Sequence, residues 1–231
     1  MSITENLAKV EENVQKACER ANRDRSEVTL IAVSKTKPVS MIEELLPTGT
    51  IDFAENKPQE LRDKYEVLPK NLNWHMIGHL QRNKVKYVVG RSCLIHSVDS
   101  LRLAEAISEE AVKKELIMPV LVEVNVAEED SKFGITVEEA LPFIEEIAKL
   151  PGITVTGLMT IAPYVDDAEE NRTIFKTLKQ LSVDIQKKNI NNVTMNVLSM
   201  GMTGDYEVAI EEGATMVRVG TGIFGARDYT I

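Results

Sequence analysis

Two short segments near the end of the sequence combine glycines with hydroxyl side chains. The first is Ser199-Met200-Gly201-Met202-Thr203-Gly204, and the second is Gly220-Thr221-Gly222-Ile223-Phe224-Gly225. Glycine lets a backbone approach an anion closely, and N–H groups exposed at a turn are good donors to phosphate oxygens. Either segment alone could simply be a tight turn, but the presence of both favours a phosphate site.

Two cations could complete the chemistry of such a site. Lys35 follows an apolar run at 28–33, and partial desolvation there would lower the pKa of its amine and make it a nucleophile toward an aldehyde. Arg218 precedes the second glycine segment and stays protonated, so it could donate a hydrogen bond to a ring nitrogen. Together these groups suit a phosphorylated aldehyde cofactor. The simpler alternatives are a surface lysine at a strand end and an arginine paired with a carboxylate.

Short apolar runs and helical patterns alternate along the chain. The runs are rich in branched residues, as in strands buried on both faces, and we predict strands at 28–33, 50–53, 73–77, 93–98, 118–126, 153–159, 193–198 and 215–219. Between them, helical periodicity covers 39–46, 56–67, 81–89, 100–115, 136–149, 167–189 and 203–212. An extra amphipathic helix opens the chain behind a Ser2-x-x-Glu5 capping box.

Eight βα units predict a (β/α)8 TIM barrel, an α/β fold with a parallel sheet inside and helices outside. An open doubly wound sheet is the competing fold, but its glycine-rich first turn is replaced here by Ser34-Lys35-Thr36-Lys37-Pro38. In a barrel, functional groups gather at the carboxyl ends of the strands, and phosphate sites often follow strands seven and eight. Closure places strand eight beside strand one, so Lys35 and Arg218 should converge.

Composition limits the remaining possibilities. A length of 231 residues without a linker favours one domain over 1–231, and a net charge of −9 argues against nucleic acid or an anionic membrane as partner. No apolar run approaches a membrane span, and the acidic N-terminus does not resemble a signal peptide, so we expect a cytoplasmic protein. We expect Cys18 and Cys93 to be buried thiols. The absence of a strongly apolar stripe predicts a monomer.

Five segments spread over nearly the whole chain carry a family resemblance. They are 32–38 (AVSKTKP), Glu55-Asn56 with Gln59-Glu60, 74–81 (WHMIGHLQ), 198–202 (LSMGM) and 216–227 (MVRVGTGIFGAR). In these segments the chain resembles the pyridoxal 5′-phosphate homeostasis protein family, which is related to the N-terminal domain of alanine racemase. It departs from the family pattern at Ala54, Lys57 and Pro58.

The resemblance implies a single barrel that binds pyridoxal 5′-phosphate (PLP) as an internal aldimine on Lys35. It places Asn56 near the ring and Arg218 at the pyridine nitrogen. The residues that it places around the phosphate are Ser199, Gly201, Gly220 and Thr221, and it counts Met200 among the cofactor-binding residues.

The resemblance leaves two functions to compare. Arginine at the pyridine nitrogen makes the ring a weak electron sink, and alanine racemase adds a second domain that supplies an acid/base tyrosine. The chain ends at Ile231 without such a domain, so we expect a carrier in vitamin B6 homeostasis, with PLP-dependent apoenzymes as candidate recipients. The alternative is an amino-acid racemase or another small-molecule PLP enzyme, with Tyr206 or His79 as base.

Three further signals receive simpler interpretations. His75-x-x-x-His79 has the spacing of zinc ligands, but Gly78 and a strand intervene, so we predict no metal site. His96 lies inside the fourth predicted strand and is expected to be a hydrogen-bonded core residue. Lys132, in the loop after the fifth strand, could meet a second ligand.

Overall fold

The protein forms a closed barrel of eight parallel strands in the order β1 to β8. The computed structural model describes residues 2–129 and 132–226. The strands are β1 (Thr29–Val33), β2 (Asp52–Glu55), β3 (Asn73–Met76), β4 (Leu94–Val98), β5 (Met118–Glu123), β6 (Ile153–Met159), β7 (Val193–Met202) and β8 (Met216–Val219). The predicted (β/α)8 TIM barrel is therefore confirmed.

Eight α-helices accompany the strands. They are α1 (Ile3–Arg20), α2 (Val39–Leu45), α3 (Pro58–Val67), α4 (Leu101–Lys113), α5 (Val137–Ile147), α6 (Arg172–Gln186), α7 (Tyr206–Glu211) and α8 (Thr221–Phe224) among the residues in view. The extra N-terminal helix is confirmed with its capping box, in which Ser2 Oγ accepts from the Glu5 N–H. None of these helices is long and apolar enough to cross a membrane.

Two predicted helices differ from the structure. The segment between β3 and β4 is a 3₁₀ helix, Arg82–Tyr87, in place of an α-helix over 81–89. Val85 is its buried residue, and Val88 and Val89, directly after it, are also buried; all three are β-branched, which lowers their preference for an α-helix. The long pattern at 167–189 divides into a 3₁₀ turn, Ala168–Asn171, followed by α6.

Closure of the barrel comes from β8 pairing in parallel with β1. Ile31 is the register partner of Arg218, and Ala32 is the partner of Val219. Inside the barrel, small apolar clusters such as Ile31 with Ala54 are separate from the large core between the strands and the helices. The pairing brings the turn that carries Lys35 and the end of β8 to the same end of the barrel, as predicted.

Strand β7 continues four residues beyond its predicted end. Its register with β8 is irregular between Ser199 and Met202, and Gly201 adopts a left-handed φ of 89°. A Cβ on Gly201 would lie 2.6 Å from the Ala209 Cβ, so the close approach of α7 requires glycine here. The first glycine-rich segment is thus an irregular strand end that α7 covers.

Candidate functional site

A cavity of about 430 Å³ opens at the carboxyl ends of the strands. Four of the eight predicted site residues line it: Lys35, Arg218, Gly220 and Thr221. The other lining residues come mainly from the loop after β6 and from the segment between β7 and α7. Residues from distant parts of the sequence are therefore brought together at the end of the barrel where the sequence predicts a site.

Lys35 lies in the turn that follows β1 and is partly buried at the cavity wall. The preceding Ser34 is completely buried, and the following Thr36 has a left-handed φ of 64°. A β-branched residue rarely adopts this conformation, so the surroundings must hold the turn in place.

An ionic cluster behind this turn provides that support. The Lys64 ammonium, only 5% exposed, donates hydrogen bonds to the Ser34 carbonyl (2.8 Å), Glu55 Oε1 (2.7 Å) and Glu60 Oε1 (2.8 Å). Glu60 Oε1 also accepts from the Thr36 N–H at 2.7 Å, and Glu55 Oε1 accepts from the Ser34 hydroxyl at 2.6 Å. Both residues that flank Lys35 are therefore bound to one cluster.

Glu55 is the unusual member of the cluster. Its side chain has no exposure, and burial raises the pKa of its carboxyl to about 7 against the opposing effect of Lys64. Its second oxygen, Oε2, has no hydrogen-bond partner among the residues in the structure. The support beneath Lys35 thus contains a carboxyl that titrates near neutral pH.

Arg218 is 3% exposed in the barrel interior and reaches the cavity. Its guanidinium donates to Ser199 Oγ at 2.6 Å and to the Thr160 carbonyl at 2.9 Å, which are both neutral oxygens. Burial lowers the pKa of Arg218 to about 10, opposed by Glu123 and Asp205, so the group stays protonated at neutral pH. The simpler alternative from the sequence, an arginine paired with a carboxylate, therefore does not apply to these two hydrogen bonds, which both go to neutral oxygens.

Glu123 is a buried carboxyl in the electrostatic surroundings of Arg218, and the sequence analysis did not identify it. It ends β5 and is 4% exposed. Burial, reinforced by Asp99, raises the pKa of its carboxyl to about 7 in spite of the attraction of Arg218. The residue completes an apolar-looking strand, so nothing in the sequence pattern marks it.

The two glycine-rich segments meet through their hydroxyl residues. Thr221 Oγ1 lies 3.2 Å from Thr203 Oγ1, and the Gly222 N–H donates to Thr203 Oγ1 at 3.3 Å. Gly222 itself is tightly surrounded, since a Cβ there would lie 2.9 Å from Val219 Cγ1. The two glycine-rich segments therefore lie side by side at the carboxyl end of the barrel.

Four predicted site residues do not line the cavity: Asn56, Ser199, Met200 and Gly201. Ser199 and Met200 are fully buried, and the Ser199 hydroxyl contacts Arg218 and His96. Asn56 follows β2, and its Oδ1 is buried with no hydrogen-bond partner in the part of the chain described. The Asn56 backbone packs so closely on Gly78 that a Cβ on this glycine would lie 2.4 Å from the Asn56 carbonyl oxygen.

Asn171 and Asp205 also line the cavity but were missed in the sequence. Asn171 Nδ2 donates to Asp205 Oδ2 at 2.9 Å and to the Pro163 carbonyl at 3.0 Å. Asp205 Oδ1 accepts from the Met202 N–H at 2.6 Å. These bonds join the loop after β6 to the end of β7. Asn171 lies within a predicted continuous helix, which concealed its role.

Two residues considered as bases for an enzyme lie away from the cavity lining. The Tyr206 hydroxyl accepts from Asn13 Nδ2 on α1 at 3.1 Å, and burial raises its pKa. His79 stacks on Phe133 with a ring-centroid distance of 3.9 Å, and its Nδ1 lies 3.5 Å from Asp99. Neither contact directs the side chain to Lys35.

The remaining interpretations have mixed outcomes. His96 is a hydrogen-bonded core residue, as predicted, and Cys18 is buried. The prediction of a buried Cys93 is wrong, because this residue precedes β4 and is exposed. Lys132 Nζ lies 3.0 Å from Glu129 and contacts the Ile161 carbonyl at 3.4 Å, so its contacts are within its own loop and the next. Arg227, at the end of the last resembling segment, lies outside the described residues.

The barrel carries a lysine after its first strand and an arginine in its last strand. The class of protein to which it belongs is that of the alanine racemase N-terminal domain. The alanine racemase N-terminal domain model matches residues 6–228. Structures of alanine racemase from Clostridium difficile share this fold, at 17% identity with a TM-score of 0.75, over 99% of this chain and 58% of theirs.

Closer relatives narrow the class. A pyridoxal phosphate homeostasis protein of Aquifex aeolicus is 45% identical over 99% of this chain and 100% of its own length, and one of Escherichia coli is 38% identical over 99% and 98%. PipY of Synechococcus elongatus, solved with PLP bound, is 32% identical with a TM-score of 0.82, over 97% of this chain and 100% of its own. The chain belongs to the pyridoxal phosphate homeostasis protein family.

Proposed function

We propose that this protein binds PLP in the cavity at the carboxyl end of the barrel and takes part in keeping the intracellular supply of the cofactor. The observation that carries the proposal is the convergence of Lys35, Arg218, Gly220 and Thr221 on one cavity. Relatives named pyridoxal phosphate homeostasis proteins and the PLP-bound PipY structure support it.

The residues present fit this cofactor in three respects. The cavity volume of about 430 Å³ is within the usual range for small-molecule sites. The buried guanidinium of Arg218 supplies a cation whose two hydrogen bonds among the residues described go to neutral oxygens. The orphaned Asn56 Oδ1 is a buried acceptor that a bound ligand or water could satisfy.

Each residue then has a distinct role. Lys35 would hold the cofactor through its aldehyde group, and the bound cofactor would supply reversible attachment to amines. Arg218 would hold the pyridine nitrogen, and the backbone at Gly220 and Thr221 would hold the phosphate. Asn56 does not line the cavity, so its place near the ring rests on the family resemblance alone. Ser199, Met200 and Gly201 form the β7 backbone behind the phosphate, with the Ser199 hydroxyl holding Arg218.

The chemistry of the site favours a carrier over an enzyme. PLP enzymes that form carbanions use the cofactor as an electron sink, which a protonated pyridine nitrogen strengthens. Arg218, with its pKa near 10, remains a donor and does not transfer its proton to that nitrogen at neutral pH. Tyr206 is bound to α1 and His79 to Phe133, so neither is positioned as a base. The protein would then release PLP to PLP-dependent apoenzymes.

The attachment can be tested by loading the purified protein with PLP, reducing it with borohydride and mapping the labelled peptide. We expect the label on Lys35 and none in Lys35→Ala. Lys37→Ala is the matched control, because the Lys37 ammonium binds the carbonyls of Phe224, Gly225 and Ala226 instead. Label on another lysine would refute the assignment.

The choice between carrier and enzyme needs a separate assay. The loaded protein is incubated with L-alanine and other amino acids, and the products are separated by chirality. We expect no sustained racemisation. Turnover at enzyme-like rates that disappears in Lys35→Ala would establish the racemase alternative and refute the carrier.

A further inference from the structure

A row of hydrogen bonds crosses the barrel interior behind Arg218. The guanidinium Nη1 lies 2.6 Å from Ser199 Oγ, which lies 2.8 Å from His96 Nδ1. His96 Nε2 lies 3.0 Å from His75 Nδ1, and His75 Nε2 lies 3.1 Å from Asp52 Oδ1. Each distance is within the range of a good hydrogen bond. The five side chains come from β8, β7, β4, β3 and β2 in turn.

The two ends of the row favour one direction for its protons. A guanidinium can only donate and an ionised carboxylate can only accept. Since Arg218 donates to Ser199 Oγ, the Ser199 hydroxyl hydrogen is available to His96 Nδ1. When Ser199 donates to His96 Nδ1, His96 carries its proton on Nε2 and donates to His75 Nδ1. His75 in turn carries its proton on Nε2 and donates to Asp52.

Burial supports this single arrangement. Ser199 and His96 have no exposure, and His75 is 2% exposed. Burial, together with nearby His75 and Arg218, holds the pKa of His96 well below its usual range, so this imidazole is neutral. The reverse tautomers would place the lone pair of His75 Nε2 against the Asp52 carboxylate.

The row also joins the two ends of the barrel. Arg218 reaches the cavity at the carboxyl ends of the strands, whereas Asp52 begins β2 at the opposite end. The Asp52 side chain is 21% exposed and lines a second cavity, of about 480 Å³, between β1, β2 and α1. Its Oδ1 accepts from both His75 Nε2 and Asn73 Nδ2, the latter at 3.1 Å.

We propose that Ser199, His96, His75 and Asp52 act in series as positioning residues for Arg218. Ser199, His96 and His75 each donate to the next residue in the direction of Asp52, so the Ser199 oxygen keeps a lone pair for the guanidinium. This fixes the direction in which Arg218 offers its remaining N–H groups to the cavity. The role in cofactor binding depends on the proposed function, whereas the proton order is a property of the protein alone.

The proton order can be measured by NMR of protein labelled with ¹⁵N-histidine. The chain has three histidines, so His79→Gln assigns the third signal and leaves the row intact. We expect both His75 and His96 as neutral Nε2–H tautomers. A proton on Nδ1 of either ring would refute the proposal.

Transmission along the row is tested at its far end. Asp52→Ala removes the terminal acceptor, so we expect mixed tautomers at both histidines, a changed absorption spectrum of bound PLP and about fivefold weaker PLP binding, the equivalent of one net hydrogen bond. Asp52→Asn should retain wild-type behaviour, because its amide oxygen can accept from both His75 and Asn73. Asp99→Ala, beside His79, is a control for which both tautomers should be unchanged.

The outcomes separate the two proposals. Wild-type protein that binds no PLP would refute the proposed function and with it the positioning role. Normal PLP binding and an unchanged spectrum in folded Asp52→Ala would refute the positioning role alone. Because Asp52→Asn keeps the oxygen, its rescue of both signals distinguishes positioning from a general loss of stability.

Discussion

Replacement of Lys64 by methionine tests the support beneath Lys35. The side chain is 6% exposed and its ammonium donates to three oxygens, of which only Glu60 Oε1 belongs to a partly exposed residue. Breaking a buried ion pair by removing one partner costs about 3–5 kcal/mol, because the other charge remains buried. Because water can reach Glu60 in the variant, we expect the loss of unfolding free energy to be at the lower end of this range, about 3 kcal/mol at pH 8.

The loss should depend on pH through Glu55. The pKa of this carboxyl is already raised to about 7, and Lys64 is the main group that lowers it, so the variant raises it further. Below pH 6 the folded state holds a proton on Glu55 with or without Lys64, and less charge is left unpaired. We therefore expect the difference in unfolding free energy between wild type and Lys64→Met to be smaller by about 1.4 kcal/mol at pH 5.5 than at pH 8, because pH 8 lies one unit above the pKa of Glu55 and one unit is worth about 1.4 kcal/mol.

Urea unfolding at pH 5.5 and pH 8 measures both values. The double variant with Glu55→Gln should recover much of the loss at pH 8, because the residues are coupled. Lys16→Met removes an exposed pair with Glu12 and should show no pH-dependent loss. An equal loss at both pH values, or a loss at pH 8 no larger than that of Lys16→Met, would refute the reasoning. The variant should also load PLP more weakly, since Ser34 and Thr36 lose their support.

Three other substitutions have defined outcomes. The pKa of Glu123 is raised to about 7 in the folded protein, so the stability that its bound proton contributes is complete below the unfolded pKa near 4.5 and is lost as the pH rises through 7. Glu123→Gln should therefore flatten the decline in unfolding free energy between pH 5 and pH 8. An unchanged slope would contradict this. Gly157→Ala would place a Cβ 1.8 Å from the Val197 carbonyl oxygen and should destabilise by about 1–3 kcal/mol in urea, whereas Gly204→Ala, with open space, should not. Thr36→Gly relieves a left-handed φ and should raise the thermal midpoint, equivalent to about 0.5–1 kcal/mol; a lowered midpoint would show that the turn is unstrained.

The barrel could be predicted because its signals are local. Each strand is a short branched apolar run, and helix starts such as Thr136 carry their own capping residues. Lys35 and Arg218 could be paired because closure makes β8 the neighbour of β1, whatever the side chains between them. The order of the strands alone was therefore enough to predict that these two residues lie at the same end of the barrel.

The groups that support the site could not be predicted in the same way. Lys64 lies on a helix whose pattern marks it as a solvated charge, and only the packing of α3 against the β1 turn buries it. The sequence offered no reason to pair any two histidines, since the spacing of His75 and His79 was discounted, whereas the structure pairs His75 with His96, one strand away. Such contacts depend on which inward-facing residues share a layer of the barrel, and sequence periodicity does not determine that.

The two cations of the site are held by opposite means, and this difference bears on what they can bind. The turn of Lys35 is fixed by an ionic cluster behind it, in which Lys64 faces the carboxylates Glu55 and Glu60. Arg218 is fixed by neutral oxygens, and the nearby carboxyl of Glu123 is ionised only in part near pH 7. The charge of Arg218 is thus offset through space by Glu123 and Asp205 and not by a hydrogen-bonded carboxylate among the described residues, which favours a ligand that brings acceptors to this end of the barrel.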